Sequence, residues 1–146
     1  MRKIRLLFVC TGNSCRSQMA EGWARHLGGD GVISASAGIE AHGKNLRAIA
    51  VMAEADVDIS RQESTRLTDE MIRNSDVVVT VCGHADEHCP VLLPGVKKHH
   101  WPLADPAKAR GTEEEIKAQF RATRDDIKHR VVDLLRELEV GYGFED

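Results

Sequence analysis

An apolar run, Ile4-Arg5-Leu6-Leu7-Phe8-Val9, passes directly into Cys10-Thr11-Gly12-Asn13-Ser14-Cys15-Arg16-Ser17, and that segment passes directly into a helical pattern. The run has the length of a buried strand. Met19, Ala20, Trp23, Ala24 and Leu27 then recur at helical spacing, and Gly28-Gly29 supplies a stop. A strand, a loop of small residues and a helix in this order begin an α/β unit whose loop sits at the carboxyl end of the strand. Few folds accommodate that opening.

The remainder keeps the alternation. Val32 to Ala37 reads as a second strand, and Leu46, Ile49, Ala50 and Ala53 as the apolar positions of a second helix. Thr68 to Arg73 reads as a short helix capped by Thr68, with Met71 and Ile72 inward. Val77 to Val81 is the clearest β-branched strand, and Lys97 to Trp101 a weaker one at an edge. Ile116, Phe120, Ile127, Val131, Leu134, Leu135 and Leu138 hold one face of a long closing helix. The expected architecture is an α/β, flavodoxin-like, four-stranded parallel sheet with helices on both faces. It forms one domain over residues 1–140, followed by a flexible polar tail over 141–146. In such sheets ligands bind beyond the carboxyl ends of the strands, where the strand order reverses. Two of the strongest strands end in cysteine, Val9-Cys10 and Val81-Cys82, and this architecture favours placing those ends together.

Composition narrows the function. A formal charge of −3 on 146 residues argues against a nucleic-acid binder, which needs a basic face. No apolar run reaches the length of a membrane span, and no signal-peptide core follows the first two cations. A cytoplasmic protein that does not engage membranes is expected. There thiols stay reduced, so four cysteines point to chemistry rather than to structural staples.

The loop carries that chemistry as Cys-x5-Arg-Ser. Gly12 has no Cβ to obstruct a tight turn, and Asn13 tolerates left-handed backbone angles. Converging N–H groups and the helix N-terminus make a concave nest for a tetrahedral anion. Arg16 can offer that anion two parallel donors, which a lysine could not. The same field favours a thiolate at Cys10, and Ser17 can donate a hydrogen bond to it. Thr11, Gly12, Asn13, Ser14, Cys15 and Arg16 are therefore the expected anion-binding residues.

The segment Cys10 to Ser17, followed by Gln18-Met19-Ala20-Glu21-Gly22, resembles the thioredoxin-coupled arsenate reductases. These share their fold and anion loop with the low-molecular-weight tyrosine phosphatases. The resemblance continues through Ser36-Ala37-Gly38, His42-Gly43, Ser75 to Cys82, Cys89-Pro90, and His100-Trp101 to Asp105-Pro106.

The resemblance implies that Cys10 attacks arsenate while Asp105 protonates the departing oxygen. Cys82 then attacks the Cys10 sulfur, arsenite leaves, and a Cys10–Cys82 disulfide remains. Cys89 moves the disulfide to Cys82–Cys89, and reduced thioredoxin restores both thiols. Arsenate and thioredoxin are thus the implied partners of a monomer that detoxifies arsenic, with no bound cofactor, no metal and a minor phosphatase activity. A regular helix would separate residues 82 and 89 by roughly 10 Å, beyond disulfide reach. Gly83 and Ala85-Asp86-Glu87 would have to unwind or loop for that bond to form.

Other readings of these residues stand beside this one. Cys82, His84, His88 and Cys89 could bind zinc by composition, although their spacing fits no familiar structural site. Cys82 and Cys89 could be inert buried thiols, and Cys15 reads as a packing residue or an oxidation liability. On the residues alone Asp105-Pro106 is only a turn. Ala107 stands where the phosphatases typically carry an aromatic that lines a phosphotyrosine cleft, which counts against an aromatic ester as substrate. A low-molecular-weight phosphatase, or a phosphate or arsenate sensor reporting through Cys82 and Cys89, are the competing functions. Some relatives bind potassium through Asn13, Glu21, Ser36 and the loop after Ile59. Glu63 and Thr65 replace their side chains in that loop, so no potassium site is assigned.

Overall fold

A computed structural model describes residues 3–83, 85 and 95–139 of the chain. Four strands, β1 (Ile4–Cys10), β2 (Val32–Gly38), β3 (Val77–Thr80) and β4 (Lys97–His100), form one parallel sheet in the order β2-β1-β3-β4. Leu6 to Val9 and Val77 to Val79 are all buried, as expected of central strands covered on both faces. β4 lies at the edge and is largely exposed, which its Lys-Lys-His-His sequence allows. Immediately after it Trp101 turns inward, with its ring 5.8 Å from that of Phe8.

The described helices are α1 (Arg16–Gly28), α2 (Leu46–Glu54), α3 (Asp69–Arg73) and α4 (Glu113–Glu137). Helix α1 covers the sheet face that carries Ser34 and Ser36, and Ser34 donates to the Glu21 carbonyl at 2.9 Å. Helix α4 packs on α1 and α2, where Trp23 Nε1 donates to the Arg124 carbonyl at 3.1 Å and Arg124 donates to the Val51 carbonyl at 2.8 Å. Helix α3 lies over the opposite face, where Met71 lines a groove with Leu7, Ile33 and Ala35. The sheet therefore has helices on both faces.

Local signals explain where the helices begin and end. Thr112 and Glu115 form a reciprocal capping box at the start of α4, worth about 1 kcal/mol. Thr68 and Asn45 cap α3 and α2 through the N–H groups of Met71 and Ala48. Gly29, at φ +53°, ends α1.

One expectation needs correction. Helix α2 exists, but its buried positions are Ala48, Val51 and Met52. Leu46 is 80% exposed and Ala53 also faces solvent. Both sets recur at helical spacing, and the packing of α4 against α2 decides between them. The expected tail from Gly141 lies outside the described residues. No helix among the described residues is long and apolar enough to cross a membrane.

Candidate active site

The chain runs from β1 out to β2 and then back across β1 to β3, so the strand order reverses between β1 and β3. Cys10 closes β1 at that crevice and Cys82 follows β3. The ladder Leu6↔Val77 to Val9↔Thr80, extended by Val81 N–H donating to the Val9 carbonyl at 2.9 Å, fixes their relative register. The two cysteines that end strong strands in the sequence thus emerge side by side. Thr11 Oγ1 lies 3.2 Å from Cys82 Sγ and joins them.

The loop between Cys10 and α1 is shaped from outside. The N–H groups of Ile39, Glu40 and His42, beyond the end of β2, donate to the carbonyls of Cys10, Thr11 and Gly12 at 3.1, 2.8 and 2.8 Å. A trans peptide points its C=O and N–H in opposite directions. Holding these three carbonyls outward therefore turns the N–H groups of Thr11, Gly12 and Asn13 toward the inside of the loop. Among the described residues, the N–H groups of Thr11 through Cys15 donate to no protein acceptor. Asn13 takes the left-handed conformation at φ +49° that completes the curve. A Cβ at Gly12 would strike the His42 ring, an exposed side chain that would have to swing aside. Gly38 is needed because its Cβ would collide with backbone, with the Glu40 carbonyl oxygen and with Asn13 N at 2.7 Å. The first turn of α1 carries no side-chain cap, so its positive end also faces the loop.

The candidate groups are buried. Cys10, 3% exposed, has its sulfur 2.8 Å from Ser17 Oγ. Asn13 Nδ2 donates to Ser17 Oγ at 2.8 Å and to Ser36 Oγ at 2.9 Å. With the Ser17 oxygen already accepting, its own proton is left for the Cys10 sulfur. Arg16 is buried and donates to the Leu103 carbonyl at 2.9 Å, and a second guanidinium nitrogen lies 3.7 Å from Asp105 Oδ2. That arginine holds the Asp105 loop against the mouth of the anion loop. The other Asp105 oxygen accepts from Ala107 N–H at 3.0 Å and orients the carboxylate at the start of a 3-10 turn, Pro106–Lys108. Cys82 is buried as well, and its sulfur also accepts from Ala85 N–H at 3.3 Å.

Cys15 behaves differently from its neighbours. Burial raises its thiol from 9.0 to about 12, the Ser14 hydroxyl opposing only part of that effect. It stays protonated and unreactive at neutral pH, which fits packing.

The structure thus gathers Cys10 to Ser17, Cys82 and Asp105 at one crevice. Cys89, His84 and His88 lie outside the described residues. Among the described residues no three His, Cys, Asp or Glu side chains cluster as a metal site. Sequence reasoning did not find Gln18 or Gln62. Gln18 is buried under the loop and donates to Asn13 Oδ1 at 3.2 Å, and Gln62 donates to Gln18 Oε1 at 2.7 Å. A polar residue on the apolar face of α1 was the available signal for the first, and nothing marked the second.

Comparison with known proteins places this geometry. The family described as low molecular weight phosphotyrosine protein phosphatase matches residues 5–141. An arsenate reductase of Bacillus licheniformis is 52% identical over 132 residues, covering 90% of this chain and 94% of that protein. A solved arsenate reductase in a phosphate-binding state is 35% identical, with a TM-score of 0.75 over 92% of this chain and 98% of that one. A thioredoxin-dependent arsenate reductase of Corynebacterium glutamicum is 28% identical, with a TM-score of 0.77 over 94% of this chain and 63% of that one.

Proposed function

The chain belongs to the low molecular weight phosphotyrosine protein phosphatase family, and we propose that within it this protein is an arsenate reductase that works by a three-cysteine disulfide relay. The observation that carries the reading is the second sulfur. Hydrolysis of a phosphate ester needs one nucleophile and one acid, whereas reduction of arsenate must deposit two oxidising equivalents somewhere. Cys82 Sγ, 3.2 Å from Thr11 of the anion loop, supplies the place.

In this reading arsenate sits on the N–H groups of residues 11–15 and on the Arg16 guanidinium. Cys10 thiolate attacks arsenic, and Asp105 protonates the oxygen that leaves as water. Cys82 thiolate attacks the Cys10 sulfur. The sulfur–arsenic bond breaks, its electron pair stays on arsenic, and arsenite departs, leaving a Cys10–Cys82 disulfide. Cys89 thiolate attacks Cys82, forming Cys82–Cys89 and releasing Cys10 as a thiolate. A thioredoxin dithiol reduces that disulfide by exchange through a mixed disulfide. The thioredoxin-dependent relative supports this choice of reductant. The thiol chemistry suits a reducing cytosol and needs no second copy of the chain. A minor hydrolysis of aryl phosphates follows, because the loop accepts any tetrahedral dianion.

Single-turnover arsenite release from cysteine variants tests the reading. Cys82→Ser releases no arsenite, and Cys89→Ser releases one equivalent and stalls. Both still hydrolyse an aryl phosphate. Multiple turnovers by Cys89→Ser with thioredoxin, or arsenite release by Cys82→Ser, sink the relay and leave a phosphatase.

A further inference from the structure

The hydrogen bonds behind Asn13 close into a ring. Arg25, one turn beyond Glu21 on α1, donates to Glu21 Oε2 at 2.9 Å. The other Glu21 oxygen accepts from Ser36 Oγ at 2.6 Å, and Ser36 in turn accepts from Asn13 Nδ2. On the second arm Arg25 donates to Gln62 Oε1 and Gln62 donates to Gln18 Oε1 at 2.7 Å. Gln18 then donates to Asn13 Oδ1 at 3.2 Å. The ring therefore runs Arg25, Glu21, Ser36, Asn13, Gln18, Gln62 and back to Arg25. Both ends of the Asn13 amide are engaged, and Thr65 N–H adds a second donor to its oxygen at 2.7 Å.

These residues do not fit the potassium ion that some relatives hold. A cation needs several oxygens with lone pairs turned toward one point. Here Asn13 Oδ1 already accepts two N–H groups, and the two Glu21 oxygens accept from Ser36 and from the Arg25 guanidinium. Both lone pairs of the Asn13 oxygen and one on each Glu21 oxygen are taken by donors of the chain itself, and the Arg25 guanidinium brings a positive charge to Glu21 already.

We propose that Arg25 is a positioning residue that closes this ring in place of a bound monovalent cation and so holds the Ser17 proton on the Cys10 sulfur. Its guanidinium fixes Glu21 and Gln62. Through them it sets which end of the Asn13 amide faces Ser17, and with Asn13 donating to the Ser17 oxygen the hydroxyl proton is free to point at the Cys10 sulfur. The effect reaches Cys10 with no contact between Arg25 and the substrate. Arg16 and Asp105, the charged groups of the site, lie outside the ring. The inference rests on Cys10 as the nucleophile but on no later step of the relay.

The test is alkylation of Cys10 by iodoacetamide, scored by peptide mapping, with neither arsenate nor reductant present. Arg25→Gln slows alkylation roughly tenfold at pH 6, and the difference from wild type narrows by pH 9. Arg25→Lys, which keeps the charge on Glu21, recovers a large part of the loss. Wild type alkylates at the same rate in potassium chloride and in choline chloride of equal ionic strength. If Arg25→Gln is too unstable to assay, Glu21→Gln breaks the same arm and gives the same loss at pH 6. An unchanged profile in the folded variants overturns the proposal, as does a wild-type rate that rises with potassium. A failed relay would instead show in arsenite release with the alkylation profile intact.

Discussion

Thr11 Oγ1 stands 3.2 Å from Cys82 Sγ, so a side chain of the anion loop touches the sulfur beyond the neighbouring strand. The Ala85 N–H approaches the same sulfur at 3.3 Å. A hydroxyl on one side and an N–H on the other hold that sulfur at the rim of the loop. Replacing Thr11 by Val keeps the shape and removes the hydroxyl contact with that sulfur. Arsenite release in a single turnover should fall roughly tenfold or more. Aryl phosphate hydrolysis, which does not use Cys82, should stay within about threefold of wild type. Equal losses in both assays would mean that Thr11 serves the anion alone.

Asp105→Asn should slow aryl phosphate hydrolysis by about 10² to 10⁴ and leave inhibition by inorganic phosphate nearly unchanged. Arg16→Lys should weaken phosphate inhibition, because it loses the paired donors, and also loosen the Asp105 loop that Arg16 anchors through the Leu103 carbonyl. Steady-state rates and inhibition constants for the two variants separate these effects.

Cys15 gives the fold a pH dependence of known sign. Its thiol is raised from 9.0 to about 12 by burial, so the folded state retains a proton that the unfolded chain loses. The contribution is complete below pH 9 and is lost progressively as pH rises from 9 toward 12. Denaturant melts should show the stability difference between wild type and Cys15→Ala shrinking over that range. A constant difference would mean that burial does not hold the proton there.

Gly38→Ala should destabilise the protein by about 1 to 3 kcal/mol and depress every activity of the loop, because the added methyl meets backbone on both sides. Gly83→Ala, whose Cβ would enter open space, should leave the melting temperature unchanged. Thermal melts of the two variants make the comparison.

Chemistry that sits close together along the chain was legible in the sequence. Cys10, Asn13, Arg16 and Ser17 span eight residues, and their types already imply an anion nest with a donor on the sulfur. The meeting of Cys10 with Cys82 followed from strand order once both strands were read as central and parallel. The inward face of α2 was not legible, since two apolar sets share one period and only the position of α4 separates them. Nor was the link from Gln62 to Gln18, which joins residues 44 positions apart and leaves no periodic trace. Arg16 anchoring to the Leu103 carbonyl was equally hidden, because the acceptor is backbone and any side chain at 103 would offer it.

Three outward-held carbonyls, those of Cys10, Thr11 and Gly12, divide labour within the loop. In the proposed reading, recognition of a tetrahedral anion falls to the main chain, held in shape by the segment just beyond Gly38. The side chains are thereby released for a separate decision, which is what becomes of the anion once held. Under the proposed relay, a sulfur beside the cradle permits electron transfer, and the same cradle without that sulfur is left with hydrolysis. On that reading the choice between the two chemistries rests on side chains beside the cradle and asks nothing of the backbone that forms it.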